Sequence, residues 1–417
     1  MKWPEYKLIK LVDRFISGGT PSTKVEGYWS GDIPWITGAD FSDGEVILGR
    51  RYINQSGLEN SATNVVPMGS ILMVTRTGVG KIAIAPVDVA ISQDITGIVL
   101  KRGLFNDFVI AAIRSRMSFI LAAQRGATIK GITREDVENL SIPLPALSEQ
   151  KRIVRILNQV DALRKKGADA DTKAAHILPA LFYKMFGDPL TIMVSDNAVP
   201  LGQMNIEIQN GFACGEKDVA GGVPHLRMNN IDDAGVLNLD LLRTVPEDRD
   251  EERYRVEARD VLFMGTNSED KIGKSCVFYP PDNRHYLFSN HLVRIRIRDP
   301  RITPEFLSSF LHLLWGKKFY PPIAKRWVNQ ASVAQDALMR IRVPIPSKTA
   351  LNKFTEAFKE LLIIRANRQE TSTKLQTTFH YLLYCAFTGG LTEKWREVHM
   401  KELLVEMEDQ ARVLKNF

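Results

Sequence analysis

Two segments of the 417-residue chain contain the Pro-Pro pair found in the active-site loop of adenine methyltransferases, but they lack the polar residue in front of it. Adenine methyltransferases hold the target amine with Asn or Asp in front of a Pro-Pro pair. Here the prolines follow tyrosine, in Phe278-Tyr279-Pro280-Pro281 and Phe319-Tyr320-Pro321-Pro322. The polar group that would hold the amine is missing from both segments, so neither predicts a methyltransferase site.

Other fragments of catalytic motifs are incomplete in the same way. Gly273-Lys274-Ser275 matches the end of a phosphate-binding loop, but Ser268 stands where the first glycine is required. Glu269-Asp270-Lys271 fits the second half of a nuclease motif, yet the upstream Pro246-Glu247-Asp248 lacks the Pro-Asp pair. The seven histidines form no HExxH zinc motif, and no spacing suggests a nucleophile with its base. We therefore expect no catalytic centre, cofactor or metal in this chain.

Composition predicts a globular protein of several domains. Hydrophobic residues make up 44% and charged residues 25%, and the length fits two to four domains. Cys214, Cys276 and Cys385 are widely spaced, which argues against a disulfide framework. No leader-like start and no long apolar run is present, so we expect a cytoplasmic protein with no membrane contact. The net charge of +7 is compatible with nucleic-acid binding, but no basic arm concentrates it.

An internal repeat organises the chain. Segments of similar character recur in the same order, at offsets of 190, 193, 197 and 201 residues. The slowly growing offset indicates a duplicated unit with small insertions in its second copy. The matched pairs are Gly69-Ser70-Ile71-Leu72 with Arg259-Asp260-Val261-Leu262, Gly80-Lys81 with Gly273-Lys274, Ile91-Ser92-Gln93-Asp94 with Phe288-Ser289-Asn290-His291, and Ile142-Pro143-Leu144-Pro145 with Val343-Pro344-Ile345-Pro346.

A long helix is predicted after each copy. The first starts near Ser148, an N-cap residue, with a break expected at 167–172 and a second start or kink near Pro179. The second helix has a heptad seam with a polar middle and spans roughly 60 Å if it is continuous. Its seam comprises Phe354, Phe358, Leu361, Arg365, Arg368, Ser372, Leu375, Phe379, Leu382 and Ala386. Each helix could pack only on its own domain, but their matching positions favour pairing with each other.

The expected fold class is therefore α/β (α+β). It consists of two similar mixed α/β globular domains joined by two long antiparallel, coiled-coil-like helices with approximate two-fold symmetry. The expected divisions are a first domain, a central helical spacer, a second domain, a distal helical spacer and a C-terminal amphipathic helix, at 1–147, 148–190, 191–346, 347–396 and 397–417. The role of the last helix, with Leu403, Leu404, Met407 and Leu414, is left open.

The sequence resembles the DNA-specificity (S) subunits of type I restriction–modification systems. The resemblance lies in Ser17–Ser22 with Tyr28–Ile36, in Ile142–Pro145 leading into Glu149–Ile153, and in Ala386–Arg396. The second half departs from this pattern at Gln209–Phe212 and at Ser347–Leu351, which suggests a diverged second domain.

The resemblance implies a non-catalytic subunit that binds double-stranded DNA. Each domain would be a target recognition domain for one half of a split site. The helices would dock methyltransferase (modification) subunits, one on each side, and a restriction/translocase subunit would join them. S-adenosylmethionine, ATP and Mg would then belong to the partner subunits. Three other hypotheses stay open: a free-standing DNA methyltransferase or nuclease, a helical-strut scaffold that binds proteins, and a restriction-free methylation system.

Candidate DNA contacts follow from residue type and from matched position in the two copies. Arginine and lysine suit phosphates or guanine, and Asn or Gln suits adenine. The loops 75–81 and 266–274 are glycine-containing turns that could instead serve only the fold, and the amides at 93 and 290 could simply satisfy loop carbonyls. Trp29 and Trp327 are expected to anchor the core or loops. The DNA candidates are Arg76, Thr77, Lys81, Gln93, Lys130, Thr133, Asn267, Lys271, Lys274, Asn290, Arg326 and Asn329. The candidates for helix pairing or subunit docking are Ile153, Leu157, Val160, Phe354, Phe358, Leu361, Leu375, Phe379 and Leu382.

Overall fold

A computed structural model describes residues 3–42, 44–122, 131–215, 218–246, 251–328 and 330–415. The chain divides into two compact units. The first unit comprises Met1–Lys166 with Thr373–Phe417, and the second comprises Gly167–Ser372. The first unit is thus built from both ends of the sequence.

The strands of the first unit are β1 (Glu5–Lys7), β2 (Val12–Ser17), β3 (Ile33–Ile36), β4 (Phe41–Ser42), β5 (Glu45–Val46), β6 (Tyr52–Ile53), β7 (Asn64–Val66), β8 (Ile71–Val74), β9 (Ile82–Ile84), β10 (Val89–Ile91), β11 (Ile95–Leu100) and β12 (Ser141–Pro143). Its helices up to the first long one are α1 (Leu8–Leu11), α2 (Gln55–Glu59), α3 (Asn106–Ser115), α4 (Met117–Ala122), α5 (Arg134–Glu138) and α6 (Leu147–Ala175), the last of which ends in the second unit.

The strands of the second unit are β13 (Ala198–Pro200), β14 (Ile206–Asn210), β15 (Val223–Leu226), β16 (Arg243–Val245), β17 (Val261–Met264), β18 (Thr266–Asn267), β19 (Ser275–Val277), β20 (Leu287–Phe288), β21 (Leu292–Ile297), β22 (Lys325–Trp327), β23 (Gln330–Ser332) and β24 (Arg342–Pro344). The remaining helices are α7 (Ile177–Phe186), α8 (Pro189–Ile192), α9 (Glu251–Tyr254), α10 (Pro304–Gly316), α11 (Gln335–Met339), α12 (Lys348–Thr388), α13 (Glu393–Val398) and α14 (Met400–Lys415). Short 3-10 turns occur at Glu26–Trp29, Gly38–Asp40, Leu201–Gln203, Met228–Asn230 and Pro321–Ile323.

Two four-stranded sheets organise the first unit. One is antiparallel in the order β2-β11-β8-β9, and the other runs β6-β3-β10-β7 with a parallel β3–β10 pair. Strand β8 reads Ile-Leu-Met-Val and is buried on both faces, as its unbroken apolar run requires. Helix α3 covers one face through Phe108 and Ile113, which are completely buried.

The second unit repeats this topology. Its main sheet has the order β14-β21-β17-β19, and a smaller sheet has the order β16-β15-β20 with a parallel β15–β20 pair. The closing pairs β1–β12 and β13–β24 also correspond, and α10 follows β21 as α3 follows β11. The duplication predicted from the offsets is therefore confirmed, and so is the fold class of two mixed α/β domains joined by long helices. A further sheet, β18-β23-β22, belongs to the second unit.

The long helices differ from the prediction at one point. Helix α6 continues through 167–172, so the expected break is wrong. Gly167 costs only about 1 kcal/mol in a helix, and its carbonyl oxygen accepts a hydrogen bond from Arg368 at 3.0 Å. Arg368 also binds Asp171 at 2.6 Å, so α12 supports α6 at this point. The start near Pro179 is confirmed, since α7 begins at Ile177. The C-terminal amphipathic helix is α14.

The helices pair within each unit and also complete that unit's core. In the first unit, Ile153 and Leu157 of α6 share a core with Leu382 and Ala386 of α12. In the second unit, Phe354 and Phe358 of α12 share a core with Phe182 of α7, with 5.8 Å between the ring centres of residues 182 and 354. The seam residues therefore pack on the core of their own unit and also against another helix of that unit, so both expected packing modes occur. In the part of the chain that the structure describes, no helix combines the length and apolarity needed to cross a membrane.

Candidate nucleic-acid interface

Three loops of the first unit meet where strand β8 ends and strand β11 begins, in the middle of its main sheet. The amides of Thr75 and Arg76 donate to the carbonyl oxygen of Asp94, at 2.8 and 3.4 Å. The amide of Ile132 donates to the carbonyl oxygen of Thr75 at 2.9 Å. Backbone hydrogen bonds thus bring together the turn 75–81, the strand start 92–94 and the segment 131–133.

The turn between β8 and β9 has the backbone of a tight glycine loop. Gly78 and Gly80 have φ of 101° and 96°, and Thr77 has φ of 28°. These positive values favour glycine, and a non-glycine residue there marks a constrained position. Arg76 and Thr77 are exposed at the tip of the turn. Lys81 is also exposed, and its ammonium donates to the carbonyl oxygen of Gly38 at 2.9 Å.

Gln93 is held by the glycine-rich segment 17–22. The hydroxyl of Thr20 donates to Oε1 of Gln93 at 2.5 Å, while Gln93 stays exposed. Gly18 packs so closely that a Cβ there would lie 2.2 Å from the carbonyl oxygen of Ser92. The amide oxygen of Gln93 is therefore held by the Thr20 hydroxyl, while the side chain as a whole remains exposed.

Thr133 caps helix α5. Its hydroxyl lies 2.7 Å from Oδ2 of Asp136, and it accepts from the amide of Asp136 at 3.2 Å. The capping box Thr-x-x-Asp was the sequence signal for this role. The structure places Thr133 beside the three loops, but its hydroxyl already serves the helix.

The second unit builds the same junction from different residues. The amides of Gly265 and Thr266 donate to the carbonyl oxygen of His291, at 3.0 and 3.1 Å. The amide of Val333 donates to the carbonyl oxygen of Gly265 at 2.9 Å. A Cβ at Gly211 would lie 2.2 Å from the carbonyl oxygen of Phe288, which corresponds to the close approach of Gly18.

Three predicted residues of the second unit line one cleft of about 800 Å³. They are Asn267, Lys271 and Lys274, and Arg365 of α12 also lines the cleft. Lys271 is exposed, whereas Lys274 is only 5% exposed. The ammonium of Lys274 forms an ion pair with Asp233 and lies 5.0 Å from the centre of the Trp315 ring. The ammonium of Lys274 therefore links two parts of the cleft lining and already has its partners within the protein.

The other second-unit candidates lie at the surface. Asn290 and Arg326 are exposed, and Arg326 forms an ion pair with Glu269 at 2.8 Å. Lys130 of the first unit and Asn329 of the second lie outside the described residues.

Among the residues that the structure describes, no group of three or more His, Cys, Asp or Glu side chains could hold a metal ion.

The two tryptophans behave differently from each other. Trp29 is half-buried and packs edge-on against Trp35, with 5.1 Å between ring centres, so its anchoring role is confirmed. Trp327 is 59% exposed, so the expectation of an anchor is wrong there. It follows Lys325 and Arg326 in strand β22, whose three residues are all exposed.

Comparison with known proteins finds a family match in the first part of the chain. Residues 2–168 match the family described as the type I restriction modification DNA specificity domain. This match covers about two fifths of the chain, and all of it lies in the first half of the sequence. A type I restriction enzyme MjaIX specificity subunit from Methanocaldococcus jannaschii is 30% identical over 192 residues, which cover 44% of either chain. The EcoR124I/EcoR124II specificity subunit from Escherichia coli is 31% identical over 166 residues, which cover 38% of this chain and 41% of the relative.

These two matches span less than half the length of the specificity subunits concerned. The fold likeness extends further. The crystal structure of a type I restriction–modification S subunit from M. genitalium aligns over 93% of this chain and 96% of its own, with a TM-score of 0.54 and 14% identity. The fold is thus shared across nearly the whole chain.

Proposed function

We propose that this chain is the sequence-specific DNA-binding subunit of a type I restriction–modification complex. Each unit recognises one half of a bipartite duplex site, and the chain itself performs no catalysis. The observation that carries the proposal is the repeated junction of three loops, built on the same backbone hydrogen bonds around Thr75 and Gly265. A backbone scaffold that is repeated in both units but presents different side chains suits two domains that recognise different sequences.

The side chains at each junction suggest how contacts are divided. In the first unit, exposed Arg76 and Lys81 suit phosphate oxygens, and the exposed Thr77 and Gln93 suit base edges. In the second unit, Lys271 and Arg326 take the phosphate role, and Asn290 presents an exposed amide. Asn267 lines the cleft with its amide bonded to Ser268 and Met264. Lys274 supports the site through Asp233, since its ammonium is buried.

Apolar side chains on the outer faces of the long helices suit docking of methyltransferase subunits. Four of the nine seam residues predicted for docking, Ile153, Leu157, Phe354 and Phe358, are buried inside the units. The exposed apolar residues of the long helices are instead Leu163, Ile363, Ile364, Tyr381 and Tyr384, between 51% and 66% exposed. We assign methyltransferase docking to these surfaces, a restriction/translocase subunit to the assembled complex, and S-adenosylmethionine, ATP and Mg to the partners.

Selection from a random duplex pool tests the recognition step. The full chain, assembled with its methyltransferase subunit, should enrich two short defined sequences separated by a gap of fixed length. Replacing residues 1–146 with the matching domain of another specificity-family protein should change one of these sequences and leave the other unaltered. A change in both sequences, or enrichment of none, would refute the modular function.

Two control reactions separate the competing hypotheses. The pure chain with S-adenosylmethionine and the selected duplex should transfer no methyl group, whereas the assembled complex should methylate it. Transfer by the pure chain would establish an enzyme instead. Assembly with the methyltransferase but no retention of any duplex would point to a scaffold that binds only proteins.

A further inference from the structure

The hairpin β22–β23 carries an exposed apolar tip. Trp327 is 59% exposed and Val328 is 91% exposed, at the turn that joins the two strands. In the same hairpin, Ala331 lies opposite Arg326, is 1% exposed and belongs to the core. The hairpin is thus rooted in the unit while its largest apolar side chain faces solvent, which is the unusual arrangement for tryptophan.

The hairpin stands beside the proposed recognition loops of the second unit. Strand β23 pairs with β18, with Thr266 opposite Ser332 and Asn267 opposite Ala331. The ion pair between Arg326 and Glu269 ties the outer strand to the same loop. A duplex held against Asn267 and Lys271 would therefore lie within reach of the tip.

The charges around the tip favour a polyanion over a protein surface of mixed charge. Lys325 and Arg326 immediately precede Trp327, and both are exposed. Cationic side chains of this kind neutralise phosphates and release counterions. An apolar tip next to such cations has the composition of DNA-binding elements that insert a nonpolar side chain at a base step.

We propose that Trp327 and Val328 form an apolar wedge that enters a groove of the duplex and contacts the bases of the second half-site. Lys325 and Arg326 contact the flanking phosphates. The wedge makes Trp327 a specificity-determining residue of the second unit, and this inference rests on the proposed function. Contact with the bases replaces the water around the indole ring and loosens base stacking at the inserted step.

The test uses the full chain assembled with its methyltransferase subunit and the duplex selected from the random pool. Trp327→Ala should weaken binding to the selected duplex by roughly 5- to 150-fold, the range expected for one aromatic–base contact. Binding to an unrelated duplex of equal length and the salt dependence of binding should change little, because phosphate contacts remain. Trp327→Phe should restore most of the affinity. Val194→Ala is the matched control, since Val194 is an apolar side chain of the same unit that is 72% exposed.

A second measurement reports the wedge directly. With 2-aminopurine placed at successive positions of the second half-site, the wild-type complex should raise the fluorescence at one step, and Trp327→Ala should abolish the rise. Equal affinity of wild type and Trp327→Ala, or no fluorescence change at any position, would overturn the inference. Loss of methyltransferase assembly with unchanged DNA binding would also overturn it, because the tip would then contact protein. If the wild-type complex enriches no sequence at all, the proposed function itself fails.

Discussion

Glu149 is the centre of a buried polar cluster in the first unit, and its removal gives the sharpest stability prediction. The Glu149 side chain is 1% exposed. Its carboxylate accepts hydrogen bonds from the Trp3 indole at 3.0 Å, the Thr392 hydroxyl at 2.6 Å and Nε of Arg396 at 2.8 Å. The Arg396 guanidinium also lies 4.8 Å from the centre of the Trp3 ring. One carboxylate therefore joins the start of the chain, the start of α6 and the segment before α14.

The expected loss follows from the burial of both charges. Glu149→Ala leaves the guanidinium of Arg396, whose side chain is 7% exposed, without its counter-ion. Breaking a buried pair in this way costs about 3–5 kcal/mol. For a unit of this size each kcal/mol shifts the unfolding midpoint by about 2–4 °C, so the midpoint should fall by roughly 6–20 °C. Glu149→Leu combined with Arg396→Met should recover most of the loss, because no unpaired charge stays buried.

Differential scanning calorimetry and limited proteolysis measure the two consequences. The calorimetric transition of the first unit should move down, and cleavage between 389 and 415 should become faster because the C-terminal segment loses its anchor. Arg412→Ala is the matched control, since its partner Asp409 is exposed and such surface pairs contribute about 0–1 kcal/mol. If Glu149→Ala shifts the midpoint no more than Arg412→Ala does, the assigned role of the cluster is wrong.

Two further predictions concern pH and salt. His225 is 4% exposed, and burial, aided by the charge of Arg227, lowers its pKa to about 4. The histidine of the unfolded chain has a pKa near 6.5, so between pH 4 and 6.5 the unfolded state binds more protons than the folded state. The contribution of His225 to the free energy of unfolding is therefore complete above pH 6.5 and decreases as the pH drops towards 4. The expected decrease is about 2 kcal/mol at pH 5. His225→Gln should flatten the pH dependence of urea unfolding, and an unchanged profile would exclude His225 as its source. Arg76→Ala and Lys81→Ala should each weaken binding to every duplex and lower the slope of log K against log salt by about 0.9; an unaltered slope would remove that residue from the phosphate contacts.

The repeat and the helices were predictable because they depend on local sequence. Matched turns at 69–72 and 259–262, followed by apolar runs, indicate equivalent strands, and the structure has them as β8 and β17. The failure at 167–172 has a physical cause. Helix propensity at Gly167 is poor, but Arg368 supplies a hydrogen bond to its carbonyl oxygen from a residue about 200 positions away. Such a distant contact leaves no pattern in the local sequence.

The candidate site was predictable by residue type but not by environment. The pair Gly273-Lys274 looks like an exposed phosphate ligand in sequence, yet Lys274 is buried between Asp233 and Trp315. Conversely, Trp327 looks like a core residue and lies at the surface. Residue type states which contacts a side chain can make. Whether that side chain faces water depends on which strands pair with each other. For Trp327 the relevant pair is β18 with β23, which the sequence pattern did not indicate.

The two junctions show how one backbone arrangement can present different side chains in the two units. Each is closed by main-chain hydrogen bonds, onto Asp94 and Thr75 in the first unit and onto His291 and Gly265 in the second. Main-chain bonds do not depend on side-chain identity, so Gln93 can stand where Asn290 stands in the other copy while the loops keep their places. The close approaches of Gly18 and Gly211 are the exception, because a Cβ at either position would overlap a carbonyl oxygen. The exposed side chains can therefore differ freely between the two units, whereas these glycines are fixed by the fold.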